Sequence, residues 1–224
     1  MTLVREAALV AMKDLRVEAH SRVVLTQVLP FGAVSLLLFA FALDTDRDIL
    51  PVVAPGLFWL TVLLSALLAI SRSFAIESEH GARDALRLSG LDGAAIFLGK
   101  AAAVAAQLLA LEVVLLGGVF VLYDIEVHGV VVLVPVMLLA TIALAAIGTV
   151  YGVLAAGIRV RETLVPLLVL PASTPVLLAS SRSFEYSLAD DLGPAWRWAS
   201  LVAMIAVVSI TVGLLAFGPL LEES

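Results

Sequence analysis

The stretch Gly93–Ala101, GAAIFLGKA, is the place in this chain that most suggests a phosphate-binding loop. Such a loop puts four residues between its glycines, so that successive backbone N–H groups curl around a phosphate. It follows its Lys with Ser or Thr to reach a magnesium ion. Here five residues separate Gly93 from Gly99, and Ala101 follows Lys100. The chain therefore does not bind ATP through this motif. Hydrolytic chemistry is equally unprovided for. No serine sits in a G-x-S-x-G elbow, and H-E-x-x-H is absent. His20, His80 and His128 fall in three separate segments. With no cysteine there is no thiolate metal site, disulfide framework or covalent haem attachment. The sequence offers no catalytic residue and no metal site.

What remains is chemistry of placement. Glu112 is a lone carboxylate inside a long apolar run. Buried and ionised it costs several kcal/mol or more, so it must face protein or a wet crevice, or be protonated. It is a candidate for a translocation path, or else an interhelical hydrogen-bond partner for a Ser or Thr. Pro171 and Pro175, in VPLLVLPASTPVLLAS, each remove a backbone hydrogen bond and kink a helix, and Ser173 and Thr174 can satisfy freed carbonyls. This is either a moving or re-entrant element or a kinked packing helix. Gly148 and Gly152, four apart, let another helix approach closely. They mark a packing seam, within the chain or between two copies in a homodimer.

The most polar interval between two apolar runs is Ile76–Lys100, IESEHGARDALRLSGLDGAAIFLGK. Its charges, among them Glu77, Glu79, Arg83, Asp84 and Arg87, keep it out of hydrocarbon. Leu86, Leu88 and Leu91 interleave with Ala82, Ala85 and those charges. This pattern predicts a short amphipathic helix over 76–91 at a membrane face, between Gly81 and Gly90. Something outside the membrane must grip it.

The elements that position these groups follow from composition. The 224 residues are 62% hydrophobic and 14% charged, with mean hydropathy +1.13. That composition lies outside the soluble range and implies an all-α integral membrane protein. The length suits one membrane domain, with no second, soluble catalytic domain. A net charge of −6 excludes nucleic-acid binding as a main role. The N-terminus shows no uninterrupted apolar core of a cleavable signal. Residues 2–19 are expected to form an amphipathic helix. It rests in plane on anionic headgroups or is a lead-in held by the rest of the protein, and Asp14 and Glu18 spoil its apolar face. Six apolar runs follow at 23–43, 52–70, 94–122, 130–156, 164–180 and 196–217, each near the ~20 residues that cross ~30 Å of hydrocarbon.

Orientation follows from Lys and Arg. Ten fall on one side: Arg5, Lys13, Arg16, Arg22, Arg72, Arg83, Arg87, Lys100, Arg159 and Arg161. Three fall on the other: Arg47, Arg182 and Arg197. Both termini and the 76–100 loop are expected in the cytoplasm. The two three-helix halves have dissimilar loops, and one carboxylate and one broken helix do not make a secondary transporter.

Three pieces together resemble a known family. APGLFWLTVLLSALLAISRSF (Ala54–Phe74) runs into ESEHGARDALRLSGLDGAAIFLGK (Glu77–Lys100), and LPASTP (Leu170–Pro175) comes later. In length, six-helix layout and motif order the whole chain resembles the haem exporter protein B (CcmB) family, the membrane subunit of the ABC transporter in cytochrome c maturation. The E-x-E-x-G-x-x-D piece (Glu77, Glu79, Gly81, Asp84) is shared more widely with ABC-2 type permeases. Asp84 stands where those permeases often have Glu, and the Pro often found after the loop helix is missing. The resemblance implies an ATPase subunit on the cytoplasmic face, gripping 76–91 as a coupling helix. It also implies a haem-handling membrane protein and a small helper subunit, with haem in the complex and ATP in the partner. It implies a non-catalytic subunit in the cytoplasmic membrane. The alternatives are an ABC-2 exporter for another substrate, which only APG and LPASTP separate from this reading, and a secondary transporter.

Overall fold

The computed structural model describes residues 2–43, 49–79, 90–123, 125, 129–156 and 161–223, and side-chain surroundings for all of these except 73–79, 156, 161–163 and 221–223. The helices are α1 (Leu3–Ser21), α2 (Leu29–Leu43, entered through a π turn at Val24–Val28), α3 (Leu50–Glu79), α4 (Gly93–Tyr123), α5 (Val130–Ala156), α6 (Arg161–Leu188) and α7 (Leu192–Glu223). No strand occurs among the described residues. Six stretches are long and apolar enough to cross a membrane: Val24–Leu43, Leu50–Arg72, Gly93–Tyr123, Val130–Ala155, Leu164–Leu188 and Leu192–Leu220. The fold is an all-α membrane bundle.

α5 is its axis. It packs against α3, α4, α6 and α7, and every residue from Ala143 to Thr149 is buried. A helix that is apolar all round belongs in the interior. Lipid tails are as apolar as leucine, so close packing of small residues, rather than the hydrophobic effect, holds such helices together. Gly148 supplies one contact: a Cβ there would collide with Ile70 Cδ1 of α3. That seam is thus filled from within the chain. The two ends of the bundle are fixed by backbone approaches. At one end a Cβ on Gly93 would lie 2.6 Å from Gly218 Cα. At the other, Gly129 N–H donates to the Ser187 carbonyl at 2.9 Å. The start of α4 and the end of α7 therefore share a face, opposite the α6–α7 turn.

Several helices outrun their apolar runs. α3 continues past residue 70 to Glu79. Glu77 and Glu79 therefore sit on the end of a membrane helix rather than on a separate one beginning at 76. α6 continues past residue 180 to Leu188. The stretch SSRSFEYS looks like a loop, yet Ser180, Ser183 and Ser187 are buried. Ser183 Oγ donates to the Ala195 carbonyl at 2.9 Å and Ser187 Oγ to the Ser183 carbonyl at 2.7 Å. Buried hydroxyls that find backbone acceptors cost little. α6 is one continuous helix through Pro166, Pro171 and Pro175, not a re-entrant segment. α7 likewise exceeds 196–217 at both ends, and α1 runs two residues beyond 19.

Candidate functional site

Of the expected coupling residues, Gly81, Arg83, Asp84, Leu86, Arg87 and Leu88 lie outside the described residues, and Glu77 and Glu79 are described by backbone alone. The structure does describe what the segment is attached to. On its N-terminal side is the end of α3. On its C-terminal side Gly90 takes φ +66°, a turn that favours glycine, and Asp92 begins α4. The Asp92 carboxylate accepts from Ala94 N–H at 2.9 Å, and its carbonyl from Ile96 N–H at 3.0 Å. That is N-capping, with a negative charge at the positive end of the helix dipole.

The first two turns of α4 are clasped on two sides. On one side Gly93 meets Gly218, a Cβ on Gly213 would strike the Phe97 ring, and Phe97 packs on Phe217 with centroids 5.7 Å apart. On the other side a Cβ on Gly99 would lie 2.6 Å from the Ala7 carbonyl oxygen and from Val10 Cβ of α1. Lys100 Nζ lies 3.6 Å from Asp14 Oδ2, with side chains 6% and 10% exposed. Lys13 Nζ contacts the other oxygen, Oδ1, at 2.8 Å. The residues that mimic a phosphate loop are therefore docking points. Gly93 and Gly99 are absent side chains that admit α7 and α1, and Lys100 is the charge that holds α1.

Sequence reasoning missed the role of Asp14 and treated it as a flaw in the apolar face of α1. The available signal was a carboxylate on the apolar side of α1 and a lysine within the apolar start of α4. α1 packs on α4 beyond the Gly99 approach, so it does not merely touch it. The 80–91 segment thus joins two helices that cross the bundle, α3 and α4, and α4 packs against both α1 and α7. Among the described residues no three His, Cys, Asp or Glu side chains gather as a metal site.

In the interior, Glu112 of α4 is fully buried, and Thr141 Oγ1 of α5 donates to its Oε1 at 2.6 Å. The same hydroxyl lies 2.8 Å from the Met137 carbonyl, and Glu112 Oε2 has no hydrogen-bond partner among the described residues. Thr141 is the Ser or Thr neighbour that Glu112 called for. Gly152, like Gly148, is buried on α5.

Pro171 and Pro175 lie on the exposed face of α6, with Ser173 buried between them. Ser173 Oγ and Thr174 Oγ1 both donate to the Leu170 carbonyl, at 3.1 and 2.9 Å. The carbonyls whose donors the prolines remove are those of Leu167 and Pro171. The expected repair of freed carbonyls is therefore not what these hydroxyls do. If the proline pair shapes a working helix, Pro171→Ala with Pro175→Ala should accumulate at wild-type level in the membrane yet reduce the chain's activity in the cell severalfold. Full activity in the double variant would leave the prolines a packing role alone.

Two of the stretches carrying the resemblance lie on helices that pack together, α3 and α6. Phe58 and Trp59, which follow Ala54–Gly56, are buried in α3, with ring centroids 5.3 Å apart. Phe58 sits edge-on to Phe184 of α6 at 5.6 Å. α6 also carries LPASTP.

Comparison with known proteins places the same stretch of chain in one group. The profile of the family described as CcmB protein matches residues 5–224. Heme exporter protein B of Pseudomonas aeruginosa is 32% identical over 167 residues, 73% of this chain and 74% of the relative. Heme exporter protein B of Rhodobacter capsulatus is 30% identical over 196 residues, 83% and 89% of the two chains. The protein of that name in Paracoccus denitrificans is 28% identical over 211 residues, 93% and 92%.

Proposed function

This chain belongs to the CcmB protein family, and from that premise we propose that it is the membrane-spanning, non-catalytic subunit of an ABC transporter acting in cytochrome c maturation. The observation that carries the reading is the family match over residues 5–224, which takes in all six spans and the 76–100 stretch. The relatives bear the name heme exporter. ATP is hydrolysed by a separate subunit on the cytoplasmic face, which pushes on the 76–91 segment. A haem-handling membrane protein and a small helper subunit complete the complex. Haem resides in that complex, and ATP hydrolysis serves haem export or the release of a haem-loaded chaperone.

The chain sits in the cytoplasmic membrane with both termini inside. Ten of its thirteen basic residues fall on one side, which supports this orientation. Reporters fused after Ser224 or at Gly90 should accordingly report cytoplasm, and reporters at Asp46, Glu126 or Asp190 the outside. A cytoplasmic signal at Asp190 would break this topology.

The function is tested by complementation. In a strain lacking its own heme exporter protein B, this chain should restore covalent haem in c-type cytochromes. Restored export of some other compound with no holocytochrome would overturn the reading in favour of a different ABC-2 substrate.

A further inference from the structure

The joint between α1 and α2 stands over α4 with a groove beneath it. Arg22 breaks the helical path with φ 54° and ψ 27°, left-handed backbone that a non-glycine residue seldom takes. Glu18 reaches across the break, and its Oε1 accepts from Val24 N–H at 2.6 Å. The chain then resumes as the π turn Val24–Val28. The result is a cleft of about 480 Å³ whose walls include Glu18, Arg22, Leu25, Ala106, Gln107 and Ala110.

The chemistry of this cleft has two levels. Leu25 and the methyl groups of Ala106 and Ala110 make an apolar slot between the π turn and α4. At its rim stand a carboxylate and an exposed guanidinium, one helical turn apart. Among the described residues neither Glu18 nor Arg22 is in an ion pair. Arg22 is also the last charge before the apolar run that opens at Val23. It therefore lies where headgroups give way to acyl chains.

A zwitterionic headgroup over an aliphatic tail complements that arrangement point for point. The phosphate meets Arg22, a primary ammonium meets Glu18, and the acyl chain fills the slot. We propose that the groove between the α1–α2 joint and α4 binds one phospholipid with a phosphoethanolamine headgroup, its phosphate on Arg22, its ammonium on Glu18 and an acyl chain over Leu25, Ala106 and Ala110. Phosphatidylcholine offers the same phosphate, but its trimethylammonium has no N–H to donate. Phosphatidylglycerol offers the phosphate and no cation.

The test is native mass spectrometry of the delipidated full-length chain, titrated with dioleoyl phosphatidylethanolamine, phosphatidylcholine or phosphatidylglycerol. Wild type should retain one phosphatidylethanolamine with roughly tenfold tighter apparent affinity than the other two. Arg22→Gln should weaken that binding by about tenfold. Glu18→Gln, whose amide oxygen still accepts from Val24 N–H, should bring phosphatidylethanolamine down to the level of phosphatidylcholine. Ala110→Leu should occupy the slot and weaken all three. Should Arg22→Gln fail to fold, as judged by its thermal midpoint, Ala110→Leu decides. Wild-type binding that is equal for the three lipids, or phosphatidylethanolamine binding unchanged by Ala110→Leu, overturns the proposal.

Discussion

Asp14→Ala is expected to loosen α1 from α4 by about 2 kcal/mol, because the buried Lys100 ammonium loses one carboxylate from its surroundings. Lys100 is 5% exposed. In the variant its ammonium loses the carboxylate that lies 3.6 Å away, while the space around it stays closed. Two readouts report the loss. The thermal midpoint of the solubilised protein should fall. A cysteine introduced at Val10, which is 3% exposed in the docked helix, should become reactive toward a water-soluble maleimide. The chain has no native cysteine to confuse the signal. The double variant Asp14→Leu with Lys100→Met should recover most of the stability, because replacing a whole buried pair by apolar groups is often neutral. A wild-type midpoint in Asp14→Ala would mean that the Lys100–Asp14 pair contributes little to holding α1.

The second large effect is expected at the segment that joins α3 to α4. Leu86→Asp combined with Arg87→Glu should leave membrane insertion intact, because the segment carries too many charges to lie in hydrocarbon. Holocytochrome c should nevertheless fall to background. A transporter subunit without a nucleotide site must receive work mechanically. The receiving element has to dock by an apolar side and be fixed in register by charges. Leu86 and Leu88 are the candidate anchors, with Arg83, Asp84 and Arg87 beside them. Loss of one good anchor commonly costs ~2 kcal/mol or more. The structure adds the reason a push there matters. Asp92 caps α4 immediately after the segment, and α4 is clasped by α1 through Gly99 and Lys100 and by α7 through Gly93 and Phe97.

The spans were legible because hydrocarbon imposes a length and a composition on whatever crosses it, and each of the six helices carries its run. A close-packing seam on α5 was legible from Gly148, but not that α5 would be the axis of the bundle. What the sequence hid were pairings over long separations. Asp14 and Lys100 are 86 residues apart, and nothing local to either names the other. Glu112 called for a hydroxyl without saying which, and Thr141 on the next helix supplies it. The C-terminal end of α6 was hidden for a different reason. Its serines look solvated in sequence, but in the fold Ser183 and Ser187 donate to backbone carbonyls. The phosphate-loop likeness at Gly93–Lys100 fails on spacing, and in the fold its glycines and lysine are structural. The left-handed Arg22 and the π turn after it leave no pattern in the residue types, because they express how α1 must bend to follow α4.

The central claim is that a separate ATPase drives this chain through the 76–91 segment. Copurification tests it most directly. The tagged chain, extracted in mild detergent from membranes that make holocytochrome c, should bring down an ABC ATPase subunit in fixed proportion. The Leu86→Asp, Arg87→Glu variant, extracted at equal yield, should bring down little or none. Wild-type recovery of the ATPase with the double variant would contradict the account.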